Sequence, residues 1–227
     1  TGLALAFIIS RIGVGLPRFG PLSPYLRYSL PLVPNSTFYY LFNESDRFII
    51  GRLISLPAVA LYHAAYTTAG VIGTFFAPLH FVLFPLLAKL WHNKQKEEIA
   101  TTMTESLRYG ALLAFPALAG MTILARPLLA ALTPEAYQES AIYIAPLAAG
   151  FALFGFAVIA GNLVATAGQT RYLLAIDASL ALGNIALNLL LVPYWGIGGA
   201  VLATLAGHLV YAWAVFRRSR RIVPYAI

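Results

Sequence analysis

The sequence predicts an all-α, polytopic transmembrane helix bundle, and three observations carry that prediction. Of the 227 residues, 60% are hydrophobic and only 10% are charged, where a soluble domain carries about 25% charged residues. Mean hydropathy is +0.78, so the chain has too little charge to cover a water-facing surface. The apolar residues are gathered into long runs separated by helix-ending chemistry, and a spanning helix needs roughly 20 of them in succession.

Seven runs meet or approach that length: residues 3–16, which is incomplete, then 26–50, 58–87, 107–125, 141–165, 172–192 and 197–216. The breaks fall at Pro17-Arg18-Phe19-Gly20-Pro21, Arg126-Pro127, Thr133-Pro134-Glu135, Ala167-Gly168-Gln169 and Pro193-Tyr194-Trp195-Gly196. Gly and Pro there end one helix and free the chain to start another. Residues 89–108 form the longest break; they hold Lys94, Lys96, Glu97, Glu98 and Glu105, and read as a partly helical surface segment. Pro31, Pro34, Pro78, Pro85, Pro116 and Pro146 lie inside apolar runs, where each removes a backbone hydrogen bond and bends the helix. Small residues at four-residue spacing, Gly199–Ala203–Gly207 and Gly161–Ala165, suit close helix packing.

Lys and Arg, counted on alternate sides of the seven runs, orient the bundle. One side collects eleven: Arg18, Arg27, Lys89, Lys94, Lys96, Arg108, Arg171, Arg217, Arg218, Arg220 and Arg221. The other has three, Arg47, Arg52 and Arg126. The basic side is expected in the cytoplasm, with the C-terminus there. The net charge of +7 is spread between apolar runs, and no phosphate-binding loop is present, so nucleic acid is not an expected partner. There is no cysteine, and His63, His80, His92 and His208 form no ligand pair. Neither a metal site, a cofactor nor a catalytic residue is expected.

The candidate site lies in residues 26–51, where Asn43-Glu44-Ser45-Asp46-Arg47 interrupts an apolar stretch. Polar groups at membrane depth are costly and mark a pathway or binding site by default. At 100° per residue, Asn35, Tyr39, Asn43 and Asp46 share one narrow stripe, widened by Ser36, Tyr40 and Arg47. Asn35 and Tyr39 fall near mid-membrane, and Asp46-Arg47 near the outer rim. The next run carries His63, Tyr66, Thr67, Gly70 and Thr74 on one face, and His63 could titrate near neutral pH. Asp177, Asn184 and Asn188 occupy one face of 172–192 and suit interhelical hydrogen bonding.

Several of these segments resemble the polysaccharide-biosynthesis (Wzx-type) flippases of the multidrug/oligosaccharidyl-lipid/polysaccharide exporter superfamily. The matching stretches are Leu26-Arg27-Tyr28-Ser29-Leu30-Pro31-Leu32-Val33-Pro34, Ser45-Asp46-Arg47-Phe48-Ile49-Ile50-Gly51 and Val59-Ala60-Leu61-Tyr62-His63-Ala64-Ala65-Tyr66. Phe84-Pro85-Leu86-Leu87, Arg126-Pro127-Leu128-Leu129, Leu132-Thr133-Pro134-Glu135-Ala136-Tyr137, Asn184 to Pro193 and Gly196 to Ala200 come after them in order. The resemblance implies two six-helix lobes about a central cavity. Residues 25–227 would be the six-helix C-terminal lobe with a short basic tail. Residues 1–24 would be the end of a preceding helix and a linker, and the N-terminal lobe would be missing. It further implies a non-enzymatic, multi-pass protein of the bacterial inner membrane. This protein would flip an undecaprenyl pyrophosphate-linked oligosaccharide for O-antigen or other surface polysaccharide synthesis, with membrane lipid and a polysaccharide polymerase as further partners. Carried onto this chain, Arg27 and Arg47 would bind the pyrophosphate. Asn35, Tyr39, Asn43 and Tyr66 would contact sugar or headgroup, with Asp46 and His63 beside them in the cavity. A drug/cation antiporter or a lipid II flippase of the same superfamily remains open, as does an integral membrane enzyme of polysaccharide assembly. Of these, cation export would favour acidic, aromatic walls.

Overall fold

The computed structural model describes residues 32–226. The chain divides into two compact units, residues 1–37 and 38–227, and the second holds the helix bundle. The described residues are helical throughout, with no strand among them.

Helix α1 runs Leu32–Leu53. Ser55, in extended conformation, caps α2 (Leu56–Thr74) by accepting from the Ala58 amide at 3.3 Å, and Pro57 sits in the first turn where its missing N–H costs nothing. α3 (Ala77–His92) comes after Phe75 and Phe76, with Pro78 in its first turn. The two axes bend by 41° at this break, and together they are long and apolar enough for one broken span. The expected single run 58–87 is therefore two helices.

Residues 93–95 are all that separates α3 from α4 (Lys96–Ile123). The charged stretch expected as a partly helical surface segment is largely the opening of α4, where Glu97 and Glu98 complement the helix dipole. A short amphipathic helix, α5 (Ala125–Leu132), and a 3₁₀ segment, Glu135–Tyr143, lead into α6 (Ile144–Thr166). α6 is apolar all round, and such a helix must lie inside. It packs against α2, α3 and α4 and against the last element, and its Leu147, Ala148, Ala157, Ile159, Ala160 and Leu163 are fully buried.

The last element, α7, spans Thr170–Ile222, 53 residues, and is made of two helices joined at a non-helical Gly196 (φ 55°, ψ −136°). At 1.5 Å per residue a straight helix of that length would reach about 80 Å, far beyond a ~30 Å bilayer core. Gly196 divides it into two arms, residues 170–195 and 197–222, which fold back on each other. Gly199 permits the close turn, since a Cβ there would lie 2.5 Å from the Leu191 carbonyl oxygen. The far ends meet where the Arg218 Nε donates to Gln169 at 2.6 Å and the Tyr172 hydroxyl to the Ala214 carbonyl at 3.1 Å.

Three helical stretches, Lys96–Ile123, Glu135–Thr166 and Thr170–Ile222, are long and apolar enough to cross a membrane, and the bent α2–α3 pair makes a fourth. α1, which holds Glu44, Asp46, Arg47 and Arg52, does not qualify by composition. Leu112, Phe115, Tyr194, Trp195 and Trp213 are exposed. A surface of that kind suits lipid and its interfaces rather than water.

Candidate functional site

Asp46 is the centre of a buried polar knot. Its side chain leaves α1 toward the core and is 1% exposed. The Tyr62 hydroxyl of α2 donates to Oδ2 at 2.5 Å, the Thr204 hydroxyl of the second α7 arm to Oδ2 at 2.9 Å, and Asn188 Nδ2 of the first arm to Oδ1 at 2.7 Å. Asn188 Nδ2 also reaches the carbonyl and the side-chain oxygen of Asn184, each at 3.0 Å, and Ser45 Oγ donates to that side-chain oxygen at 3.4 Å. One carboxylate thereby joins α1, α2 and both arms of α7. Removing a carboxylate from water costs several kcal/mol, and hydrogen bonds to a charged group return roughly 1.5–3 kcal/mol each. The three donors to Asp46 are neutral side chains. Beside them, Asn188 Oδ1 and Asn184 Nδ2 are buried with no hydrogen-bond partner, so the knot still has an acceptor to offer.

Arg47, one residue on, points about 100° away. It pairs with Glu44, donates to His63 Nδ1 at 3.1 Å and lies 4.9 Å over the Tyr66 ring. The structure thus brings Arg47, His63 and Tyr66 together on one side of α1 and α2, as a cluster separate from Asp46. Asn35, Tyr39 and Asn43 are on α1, but their side chains lie outside the described residues, as does Arg27 altogether. Asn188 donates to Asp46 and Asn184 accepts from Ser45, the interhelical hydrogen bonds that their stripe suggests.

Tyr62 and Thr204 were not among the expected site residues. Tyr62 sits beside His63 in an apolar helix, and Thr204 stands among Ala and Leu, so neither has a local sequence signal. Only the fold brings them to the one buried acid.

Two adjoining hollows of about 400 and 340 Å³ share His80 and Val158. Phe76, Phe151, Phe154 and His208 line the first, Phe84, Asn162, Asp177 and Tyr211 the second, and among the described residues no Lys or Arg lines either. Among the described residues no cluster of three His, Asp or Glu could hold a metal ion.

Comparison with known proteins shows the family of this bundle. Residues 3–142, more than half of the chain, match the polysaccharide biosynthesis protein family. The chain belongs to that family. Among curated relatives it is 22% identical, over 89% of its own length and 43% of the other, to a probable low-salt glycan biosynthesis flippase of Haloferax volcanii. It is 27% identical, over 73% of its length and 33% of the other, to an uncharacterized membrane protein of Methanocaldococcus jannaschii. The chain spans less than half the length of these relatives. Among solved structures, an outward-facing multidrug resistance MATE family transporter of the MOP superfamily superposes with a TM-score of 0.66 at 20% identity. A MOP superfamily transporter from Pyrococcus furiosus does so with 0.65 at 21%. Each superposition covers 89% of this chain and 46% of the other. The all-α transmembrane bundle expected from the sequence is the fold observed.

Proposed function

We propose that this chain is the C-terminal six-helix lobe of a flippase that moves a lipid-linked oligosaccharide across a membrane by alternating access. The observation that carries the reading is the family match on a half-transporter bundle. The partner lobe would supply the other wall of the cavity, and the two would rock about a site near mid-membrane. The cargo would be a polyprenyl pyrophosphate-linked saccharide destined for a surface glycan, O-antigen or lipopolysaccharide in a bacterial inner membrane, with no chemistry performed on it. The chain's end would face the cytoplasm.

Two parts of the site take separate roles in this reading. Arg47, with Tyr66 and His63, recognises the anionic headgroup, since a guanidinium fork matches phosphate oxygens; Arg27, Asn35, Tyr39 and Asn43, expected from the sequence pattern, would contact the same cargo. Asp46 serves the coupling ion. A carboxylate held at membrane depth by neutral donors, with the unpartnered acceptor Asn188 Oδ1 beside it, gains from a proton or a small monovalent cation.

The test is glycan export by the full-length protein that contains this chain. Arg47→Glu and Asp46→Asn should each abolish export while the protein still inserts and accumulates. Wild-type export by both would overturn the reading. A second reading, export of an organic cation, rests on the hollows around His80 and Asp177, which are aromatic, acidic and without a basic lining residue among those described. Vesicle uptake of a lipophilic cation abolished by Asp177→Asn, with glycan export intact, would favour it.

A further inference from the structure

The two arms of α7 enclose a groove of about 180 Å³, walled by Ile176, Leu180, Leu187, Val210 and Ala214, with Asn184 of the Asp46 knot also in its lining. Its walls are almost wholly apolar, and Ser179, at its edge, spends its hydroxyl on the Ala175 carbonyl at 2.7 Å. Residues 176 to 187 of a helix span about 16 Å, which is the depth of one leaflet of a ~30 Å hydrocarbon core.

At the end of the same hairpin lies a second hollow, about 380 Å³, lined by Trp213, Phe216, Arg217, Arg220 and Arg221. On the second arm, Ala206, Val210, Arg217 and Arg221 fall within about 60° of one another, so groove and basic hollow open along one stripe of the helix. Among the described residues, no Asp or Glu lines either. Arg218 is committed to the fold, with Gln169 at 2.6 Å and the Tyr172 ring at 5.0 Å, whereas Arg217, Arg220 and Arg221 are exposed. The Arg217 guanidinium lies 5.2 Å from the centre of the exposed Trp213 ring, which places a cation and an interfacial aromatic side by side at headgroup level.

We propose that this hairpin end is a binding site for one anionic phospholipid of the adjacent leaflet. An acyl chain lies in the groove between the arms, and Arg217 and Arg221 hold the phosphate beside Trp213, with Arg220 adding positive charge. The apolar groove selects a lipid over free phosphate. The leaflet-deep length selects an acyl chain over a polyprenyl chain, which would overrun it. The three arginines select an anionic headgroup over a zwitterionic one. The site depends on the membrane-embedded hairpin, not on the cargo of the transporter.

The experiment uses the purified 227-residue chain in detergent, with lipid retention read by native mass spectrometry. Phosphatidylglycerol should be retained at least about tenfold more strongly than phosphatidylcholine. The triple variant Arg217→Gln, Arg220→Gln, Arg221→Gln should lose that preference without a change in the lipid-free melting temperature. Val210→Trp, which fills the groove, should weaken phosphatidylglycerol with the arginines in place. Equal retention of the two lipids, or a triple variant that keeps the preference, would overturn the proposal. So would displacement of phosphatidylglycerol by equimolar inorganic pyrophosphate, or tighter retention of a polyprenyl phosphate.

Discussion

Asp46 and Arg47 show how one residue step on a helix separates two chemistries. Adjacent side chains diverge by about 100°. Asp46 therefore turns into the junction of α1, α2 and both arms of α7, and Arg47 turns to Glu44, His63 and Tyr66. Their energetic weights differ accordingly. Asp46→Ala leaves Tyr62, Thr204 and Asn188 without their common acceptor. It should destabilise the bundle by about 1–3 kcal/mol, the cost of leaving buried donors without an acceptor, read by denaturation in mild detergent. Arg47→Ala removes a partly exposed pair and should cost no more than about 1 kcal/mol. A comparable loss in both would mean that the knot is not the structural centre of the lobe.

Among the elements, the hairpin of α7 rests on two glycines. Gly196 takes a positive φ of 55° that L side chains rarely adopt, and Gly199 meets the Leu191 carbonyl where a Cβ would stand. Gly199→Ala drives carbon into backbone that cannot rotate away. It should destabilise by about 1–3 kcal/mol, as overpacking does, and should loosen the Arg218–Gln169 contact at the far end. Protection of the Gln169 region in hydrogen exchange would report that loosening, and an unchanged pattern would count against the tight turn. Gly155 has the same kind of role on α6, since the Phe76 ring occupies the place of its missing side chain. The Phe76 contact holds the α2–α3 break against the central helix.

For the whole molecule, the bundle's exposed Leu, Phe and Trp and its four candidate spans require a bilayer. The clustering of Arg217, Arg218, Arg220 and Arg221 in the last turns of α7 predicts that this end faces the cytoplasm. A reporter fused after Arg221 should read as cytoplasmic, and a signal from the opposite side would reverse the topology.

Solvent, helices and family are all legible along the chain. Low charge and long apolar runs define a membrane bundle locally. Gly and Pro mark its breaks, and the ordered segments around Arg27, Asp46 and Asn184 carry the resemblance that the family match supports. The exact partition of helices was less legible. Pro78 signals a bend in the 58–87 run but not that the run divides into two helices at 41° about Phe75–Phe76, and the charges after Lys94 do not show where their helix begins. The role of Asp46 emerges only from the packing. Its partners lie 16, 142 and 158 residues away. Tyr62, Asn188 and Thr204 each look ordinary in their own helix. A pattern along one helix shows which residues share a face, but which face of which neighbour meets it is set by the packing of α6 and the return of α7 at Gly196.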